Sequence, residues 1–229
     1  MNREDAVHAL RVLRLTPGDE VELISPPMRA LAVIADTENQ EVLLRIEKIL
    51  PSTEMKSRIT LYQGLPKADK MEWIIQKGTE LGCARFIPVS MKRSVAQPDR
   101  KNGDDRKTDR LRKIAREAVK QCGRCQVPEI ISPGKLSAVL SLLREEDILL
   151  VPWEEEKALS MQEALSGAAP GVRVGIFIGP EGGIDPDEID CLRTLPNTRI
   201  ITLGPRILRT ETAAIASIAA AAYALGEWK

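Results

Sequence analysis

The chain has 229 residues, 43 % hydrophobic and 29 % charged, and its 33 basic and 33 acidic side chains cancel to zero net charge. That length and composition fit one large domain, or a medium one joined to a small one, of ordinary globular type. No stretch approaches the roughly 18 to 20 apolar residues that span a bilayer, Met1 to Asp5 lacks the apolar core of a signal peptide, and four cysteines do not make a disulfide scaffold, so a cytoplasmic protein is expected.

The first 65 or so residues read as β. Glu20 to Ser25, Ala30 to Ala35, Glu41 to Leu50 and Ser57 to Gln63 are short apolar-alternating runs separated by turn residues: Pro17-Gly18-Asp19, Pro26-Pro27 and Asp36 to Asn39. Consecutive strands without intervening helices predict a small antiparallel barrel. The pattern changes near Leu65-Pro66, where the domain boundary is expected. Met71, Ile74, Ile75, Gly78 and Leu81 at helical spacing predict a helix over Lys67 to Gly82. Arg85 to Val89 reads as a strand, Pro98 to Asp109 as a polar, mobile segment, and Arg110 to Gln121 as a basic amphipathic helix. Strands are then expected at Asp147 to Val151, Val172 to Ile178 and Arg199 to Leu203, alternating with helices at Ala158 to Leu165, Pro186 to Leu195 and Thr210 to Leu225. Alternation of this kind implies a parallel sheet covered on both faces. The last helix contains eight alanines between Ala213 and Ala224. Helix propensity alone accounts for them, but after a glycine loop they also permit very close packing. Thr210 is expected as its N-cap and Gly226 beyond its end.

Two loops stand out, one strand apart. The first is Gly179-Pro180-Glu181-Gly182-Gly183 and the second Leu203-Gly204-Pro205-Arg206-Ile207-Leu208-Arg209-Thr210-Glu211-Thr212. Each follows a β-branched run and leads into a helix, which places free backbone groups at the carboxyl edge of the sheet, where α/β proteins bind ligands. Arg209 and Glu211 are the charged groups there most able to do chemistry. The first loop lacks the Gly-Lys-Ser/Thr of a triphosphate loop and the G-x-G-x-x-G of a dinucleotide site, which leaves a tight turn or a phosphate-poor ligand held by backbone groups.

His8 is the only histidine, so a histidine-rich metal site is excluded and Ser-His catalysis is disfavoured. Cys122 and Cys125 have C-x-x-C spacing, but with no second pair and no nearby histidine zinc is not expected, and because they close a basic helix instead of opening one, neither is redox chemistry. Charge is unevenly spread: Lys92 to Arg124 holds twelve basic and five acidic residues, net +7, whereas Leu142 to Leu165 is net −5. The positive segment is either a solvated helix face or a footprint for phosphates. With few aromatics, base stacking along a single strand is disfavoured.

Taken in order and spacing, the motifs resemble the RsmE family, bacterial methyltransferases that make N3-methyluridine in 16S ribosomal RNA. The matching residues are His8, Val12 to Leu15 and Gly18-Asp19; Lys67 to Lys77 with Glu80-Leu81-Gly82; Arg93-Ser94-Val95; Arg116-Glu117-Ala118 with Gln121 and Arg124; and the two loops. Leu111, Cys122 and Ile184 depart mildly from that pattern. The resemblance implies a SPOUT-type α/β methyltransferase domain over residues 67–229 with a C-terminal trefoil knot, preceded by a PUA-like β-barrel over 1–66 that helps hold RNA. It further implies S-adenosyl-L-methionine as cofactor, no metal, a homodimer, and 16S ribosomal RNA of the small ribosomal subunit as partner. On that basis Gly179, Glu181, Leu203, Gly204, Leu208 and Ala213 are the cofactor candidates. Glu154 to Glu156 are expected near a third cofactor loop. Arg11, Arg14, Arg93, Arg116 and Arg124 are the RNA candidates. Arg209 is expected to stabilise charge developing on the base, and Glu211 to serve as general base or orienting acceptor. A non-catalytic RNA-binding protein and an enzyme acting on a small molecule are the competing readings.

Overall fold

The computed structural model describes residues 3–25, 27–37, 41–95 and 103–228. The chain divides into two units, Met1–Glu54 with Gly123–Gln126, and Met55–Cys122 with Val127–Lys229.

The first unit opens with a helix the sequence reading missed, α1 (Arg3–Val7), which runs on into a wider turn over His8–Val12. Three antiparallel strands follow in spatial order, β1 (Glu20–Ser25), β2 (Met28–Asp36) and β3 (Leu43–Ile49). Along β2 the buried positions Ala30, Ala32 and Ile34 alternate with more exposed ones, the period-2 pattern of a sheet with one face covered. Ala6, Ile34 and Val42 form a small core with Leu10, Leu15, Val21 and Leu44. Arg124 belongs to this unit: it is buried, and its guanidinium grips Glu54 at 2.6 Å while Glu54 also accepts the backbone N–H groups of Cys125 and Gln126.

The fourth run expected in a barrel, Ser57 to Gln63, is not part of this sheet. It forms β4 (Arg58–Gly64), which pairs in parallel with two strands at the centre of the second unit. The unit boundary accordingly lies at 54/55 and not at 66/67. The reason is burial: Ile59, Thr60, Leu61, Tyr62 and Gln63 are all inaccessible, and a strand with both faces buried needs layers on either side.

The second unit continues with α2 (Lys70–Glu80), β5 (Arg85–Ser90), α3 (Gly103–Cys122), β6 (Glu129–Ile130), β7 (Gly134–Lys135), α4 (Leu136–Glu145), β8 (Ile148–Pro152), α5 (Met161–Leu165), β9 (Arg173–Ile178), α6 (Pro186–Arg193), β10 (Thr198–Ile201) and α7 (Thr210–Ala224). The sheet is parallel throughout, ordered β10-β8-β9-β4-β5-β6 with β7 also on β5. Alternate residues of each strand serve opposite cores. Ile59, Leu61, Val174 and Ile176 pack with Ile74, Ala115, Ala164, Ala214 and Ile218 of α2, α3, α5 and α7. Tyr62, Leu149 and Phe177 pack with Val139, Leu143, Ile189 and Leu192 of α4 and α6.

Several expected bounds move. Helix α3 begins at Gly103, so 103–109 is helical and not a mobile loop; residues 98–102 lie outside the described segments. Helix α5 starts only at Met161, where Ser160 and Glu163 close a capping box that the preceding residues cannot supply. Helix α4 was missed, although Leu136, Val139, Leu140 and Leu143 carry its period. Among the described residues no helix is long and apolar enough to cross a membrane.

Candidate active site

The carboxyl edge of the sheet turns on Gly64, at the end of β4. A side chain there would lie 2.6 Å from Pro180 and 2.9 Å from the backbone of Gly179, so only glycine lets the loop after β9 fold down over β4. The loop after β10 is shaped by Gly204, whose φ of +95° is the left-handed conformation that glycine adopts without strain. Between the two loops lies a cavity of about 600 Å³, within the roughly 300 to 1,000 Å³ typical of small-molecule sites. Its wall is largely backbone and small or apolar side chains, with Lys70, Glu154, Lys157, Glu181, Arg206 and Arg209 as its charges.

All six cofactor candidates, Gly179, Glu181, Leu203, Gly204, Leu208 and Ala213, line this cavity, and so does Arg209. The turn after β8 supplies the third side through Pro152, Trp153 and Glu154, the last packed against Gly183. Glu211 stands in the first turn of α7 and is not on the wall. It is joined to it by Lys70, whose ammonium lies 3.0 Å from Glu181 and 3.1 Å from Glu211. Burial alone raises the proton affinity of Glu181, but hydrogen bonds from Lys70 and the Lys67 N–H outweigh it and hold the carboxyl below its ordinary range. Glu211 follows the same balance: burial raises it, and the α7 backbone, Lys70 and Arg209 together bring it below its ordinary value. Both are therefore carboxylates at neutral pH, and Lys70, its proton affinity raised by the ion pairs with Glu181 and Glu211, is an ammonium.

Two residues that the sequence reading did not assign to the site hold it together. Thr210 is not the N-cap of α7. Arg209 occupies that place, in extended conformation and without a capping hydrogen bond from its side chain. The buried Thr210 hydroxyl instead donates to the Gly179 carbonyl at 2.6 Å and accepts from Gln63 at 2.8 Å. One side chain thus ties α7, the loop after β9 and the end of β4. A threonine just after a glycine-containing loop reads as a cap, so no local signal revealed this use. Lys70 stood within a matched motif, but nothing in that motif named its partners.

The arginine candidates separate. Arg93 rests on Gly182 and points its guanidinium at the Gly182 carbonyl, 3.3 Å away, and at Asp185, 3.5 Å away. Arg116 is exposed on α3, beside exposed Lys113 and Lys120. Arg11 and Arg14 are exposed in the first unit, Arg14 with a positive φ of 56°. Arg124 is the exception, its guanidinium engaged by Glu54 in the interior of that unit, so its place is structural. All four cysteines are free thiols.

Comparison with known proteins agrees with this geometry. A family model described as an RNA methyltransferase domain matches residues 53–222. The chain is 35 % identical over 226 residues to the ribosomal RNA small subunit methyltransferase E of Bacillus subtilis (strain 168), covering 96 % of this chain and 88 % of the relative. Among solved structures, a methyltransferase of Legionella pneumophila in complex with S-adenosylmethionine superposes with a TM-score of 0.81 at 30 % identity, over 98 % of this chain and 90 % of the other. The ribosomal RNA small subunit methyltransferase E of Neisseria gonorrhoeae, bound to S-adenosylmethionine, superposes with a TM-score of 0.80 at 25 % identity, over 97 % and 90 %. A cavity built from two glycine-containing loops, in a chain matched nearly end to end, places this protein in the ribosomal RNA small subunit methyltransferase E family of RNA methyltransferases.

Proposed function

We propose that the chain transfers a methyl group from S-adenosyl-L-methionine to N3 of a uridine in 16S ribosomal RNA of the small ribosomal subunit. The observation that carries this reading is the single cavity that unites all six cofactor candidates with Arg209 at its wall. The cavity suits the cofactor: its size fits a nucleoside-bearing ligand, and the position where Gly204 would carry a side chain faces open space. Gly179, Leu203, Gly204, Leu208 and Ala213 would hold the cofactor by backbone and close apolar contact, with Glu181 beside it. When bound, S-adenosylmethionine supplies an electrophilic methyl on a sulfonium that departs without an acid.

Uracil N3 carries a proton at neutral pH and is a poor nucleophile, so methylation there requires loss of that proton and stabilisation of the negative charge that spreads to the ring oxygens. A positioned proton acceptor contributes typically 10²- to 10⁴-fold. Glu211, ionised at neutral pH, accepts from N3–H. As the N3–methyl bond forms, the N3 proton leaves through the Glu211 carboxylate to water, a relay that a weakly basic acceptor can serve. The Arg209 guanidinium faces the developing charge in the manner of an oxyanion donor. Alignment of N3 with the methyl group supplies much of the remaining rate.

Arg11, Arg14, Arg93 and Arg116 are proposed to bind RNA phosphates. The first unit, with its antiparallel strands, is read as a PUA-like RNA-holding module. A trefoil knot is supported by the path of the chain: β10 lies at the sheet edge on β8, yet α7 returns to pack on β9, β4 and α2. A homodimer is supported by the exposed aromatic side chains Tyr223 and Trp228 near the end of α7. A ribosomal substrate implies the cytoplasm.

The test is transfer of labelled methyl from S-adenosylmethionine to small ribosomal subunits that lack the modification, followed by identification of the product nucleoside. N3-methyluridine is the expected product, and Arg209→Ala and Glu211→Gln should slow single turnover at saturating cofactor by about 10²-fold or more. A different methylated nucleoside overturns the N3 assignment. No transfer despite measured cofactor binding in the same sample favours a non-catalytic RNA-binding role.

A further inference from the structure

Among the charged side chains of the cavity wall, Lys70 is the one that joins two of the segments building the site. Lys70 opens α2 and lines the cavity. Its ammonium sits between two carboxylates that belong to the two segments building the site, Glu181 in the loop after β9 and Glu211 in the first turn of α7. Glu181 is anchored a second time to the entry of α2 by the Lys67 N–H at 3.0 Å. The three side chains are between 20 and 26 % exposed, so water screens their interaction only in part. Lysine suits this place because a compact charge with three rotatable donors can serve two acceptors arriving from different directions.

We propose that Lys70 is a positioning residue for methyl transfer, bridging Glu181 and Glu211 and so fixing the place of the Glu211 carboxylate beside the cavity. This rests on the role given to Glu211 above. The charged groups around Glu211 are Lys70 from α2, Arg209 at the N-cap of α7, and Glu181 across the bridge. Without the ammonium, Glu211 keeps Arg209 as its cationic neighbour and faces the like charge of Glu181 with nothing between. A lost opposite charge and an unscreened like charge both favour the protonated acid, and the two carboxylates are pushed apart. A protonated or displaced Glu211 no longer accepts from N3–H.

The experiment compares wild type, Lys70→Met, Lys70→Arg and Glu211→Gln in the full chain by three readouts. These are single-turnover methylation of small ribosomal subunits at saturating S-adenosylmethionine, titration of the Glu211 carboxyl by its ¹³C chemical shift (assigned by its absence in Glu211→Gln), and thermal stability. Lys70→Met should lower the rate by about 10- to 100-fold, the scale of a misplaced catalytic group, and move the Glu211 titration to higher pH. Lys70→Arg, which keeps the charge, should recover most of both. A lowered rate with an unmoved Glu211 titration overturns the proposal, as does a moved titration with a near-normal rate. If Lys70→Met does not fold, Lys70→Arg together with Glu181→Gln replaces it: Glu181→Gln leaves the ammonium to Glu211 alone and should move the Glu211 titration to lower pH, and no movement overturns the proposal. A near-normal rate in Glu211→Gln itself removes the role of Glu211 instead, which separates failure of that reading from failure of the bridge.

Discussion

Thr210 shows how one hydroxyl can decide the shape of a site. Its two hydrogen bonds are buried and connect three chain segments that are distant in sequence. Thr210→Val keeps the side-chain shape and removes both, leaving the Gly179 carbonyl without this donor. Buried polar groups deprived of a partner cost about 1 to 3 kcal/mol. The variant should lose about that much in chemical denaturation and bind S-adenosylmethionine more weakly by calorimetry, because the Gly179 loop is no longer held. Wild-type stability and affinity together would show that the clip is dispensable. Glu146 and Asp147 make a second lesson at this scale. Though adjacent, they titrate in opposite directions: burial raises Glu146, which accepts from the Tyr62 hydroxyl at 2.9 Å, while Asp147, bonded to Arg173, is lowered to about 2.

Helix α3 carries its basic charge on one face. Thr108, Ala115, Ala118 and Val119 are buried, whereas Arg106, Lys107, Arg110, Arg112, Lys113, Arg116 and Lys120 are exposed. Some of these charges are used internally: Arg110 pairs with Glu72, and Arg112 with Asp109. Arg116 is therefore the more direct test of phosphate binding than Arg110. Arg116→Ala should weaken RNA binding and reduce the slope of log affinity against log salt by about 0.7 to 0.9, the value of one released counterion. An unchanged slope would leave α3 as a solvated face. The basic character of this helix was legible in the sequence because charge needs no tertiary context to be counted. Its first two turns or so were not, since polar residues from 103 to 109 look alike in a loop and on a helix that packs only one side.

Across the whole molecule, pH acts on stability through groups whose proton affinity the fold changes, whether buried like Glu146 or exposed like Asp147. Glu146 has its folded-state proton affinity raised above the unfolded value, so its favourable contribution is complete at low pH and is lost as pH rises through the folded pKa. Asp147 has the opposite sign: its contribution is present above the unfolded value and is lost as pH falls toward about 2. Glu146→Gln retains an acceptor for the Tyr62 hydroxyl while removing the buried charge. Its melting temperature should exceed that of wild type, with a larger gain at pH 7 than at pH 4. A gain independent of pH would mean that the carboxyl is not responsible.

By itself the sequence determined the family, the alternating strands and helices of the second unit, and the two loops of the cavity, because each rests on local spacing: glycine at turns, β-branched runs, apolar residues at helical period. It did not place β4. Tyr62 and Gln63 extend an alternating run, and only the layers on either side of the parallel sheet make it a central strand. Nor did it separate Arg124 from Arg116, since both belong to one basic segment and only burial against Glu54 makes the first structural. The meeting of Lys70, Glu181 and Glu211, and of Gln63, Thr210 and Gly179, was likewise decided by the tertiary structure. These groups lie more than a hundred residues apart in the chain at their widest, and hydrogen bonds across such distances leave no period in the sequence to read.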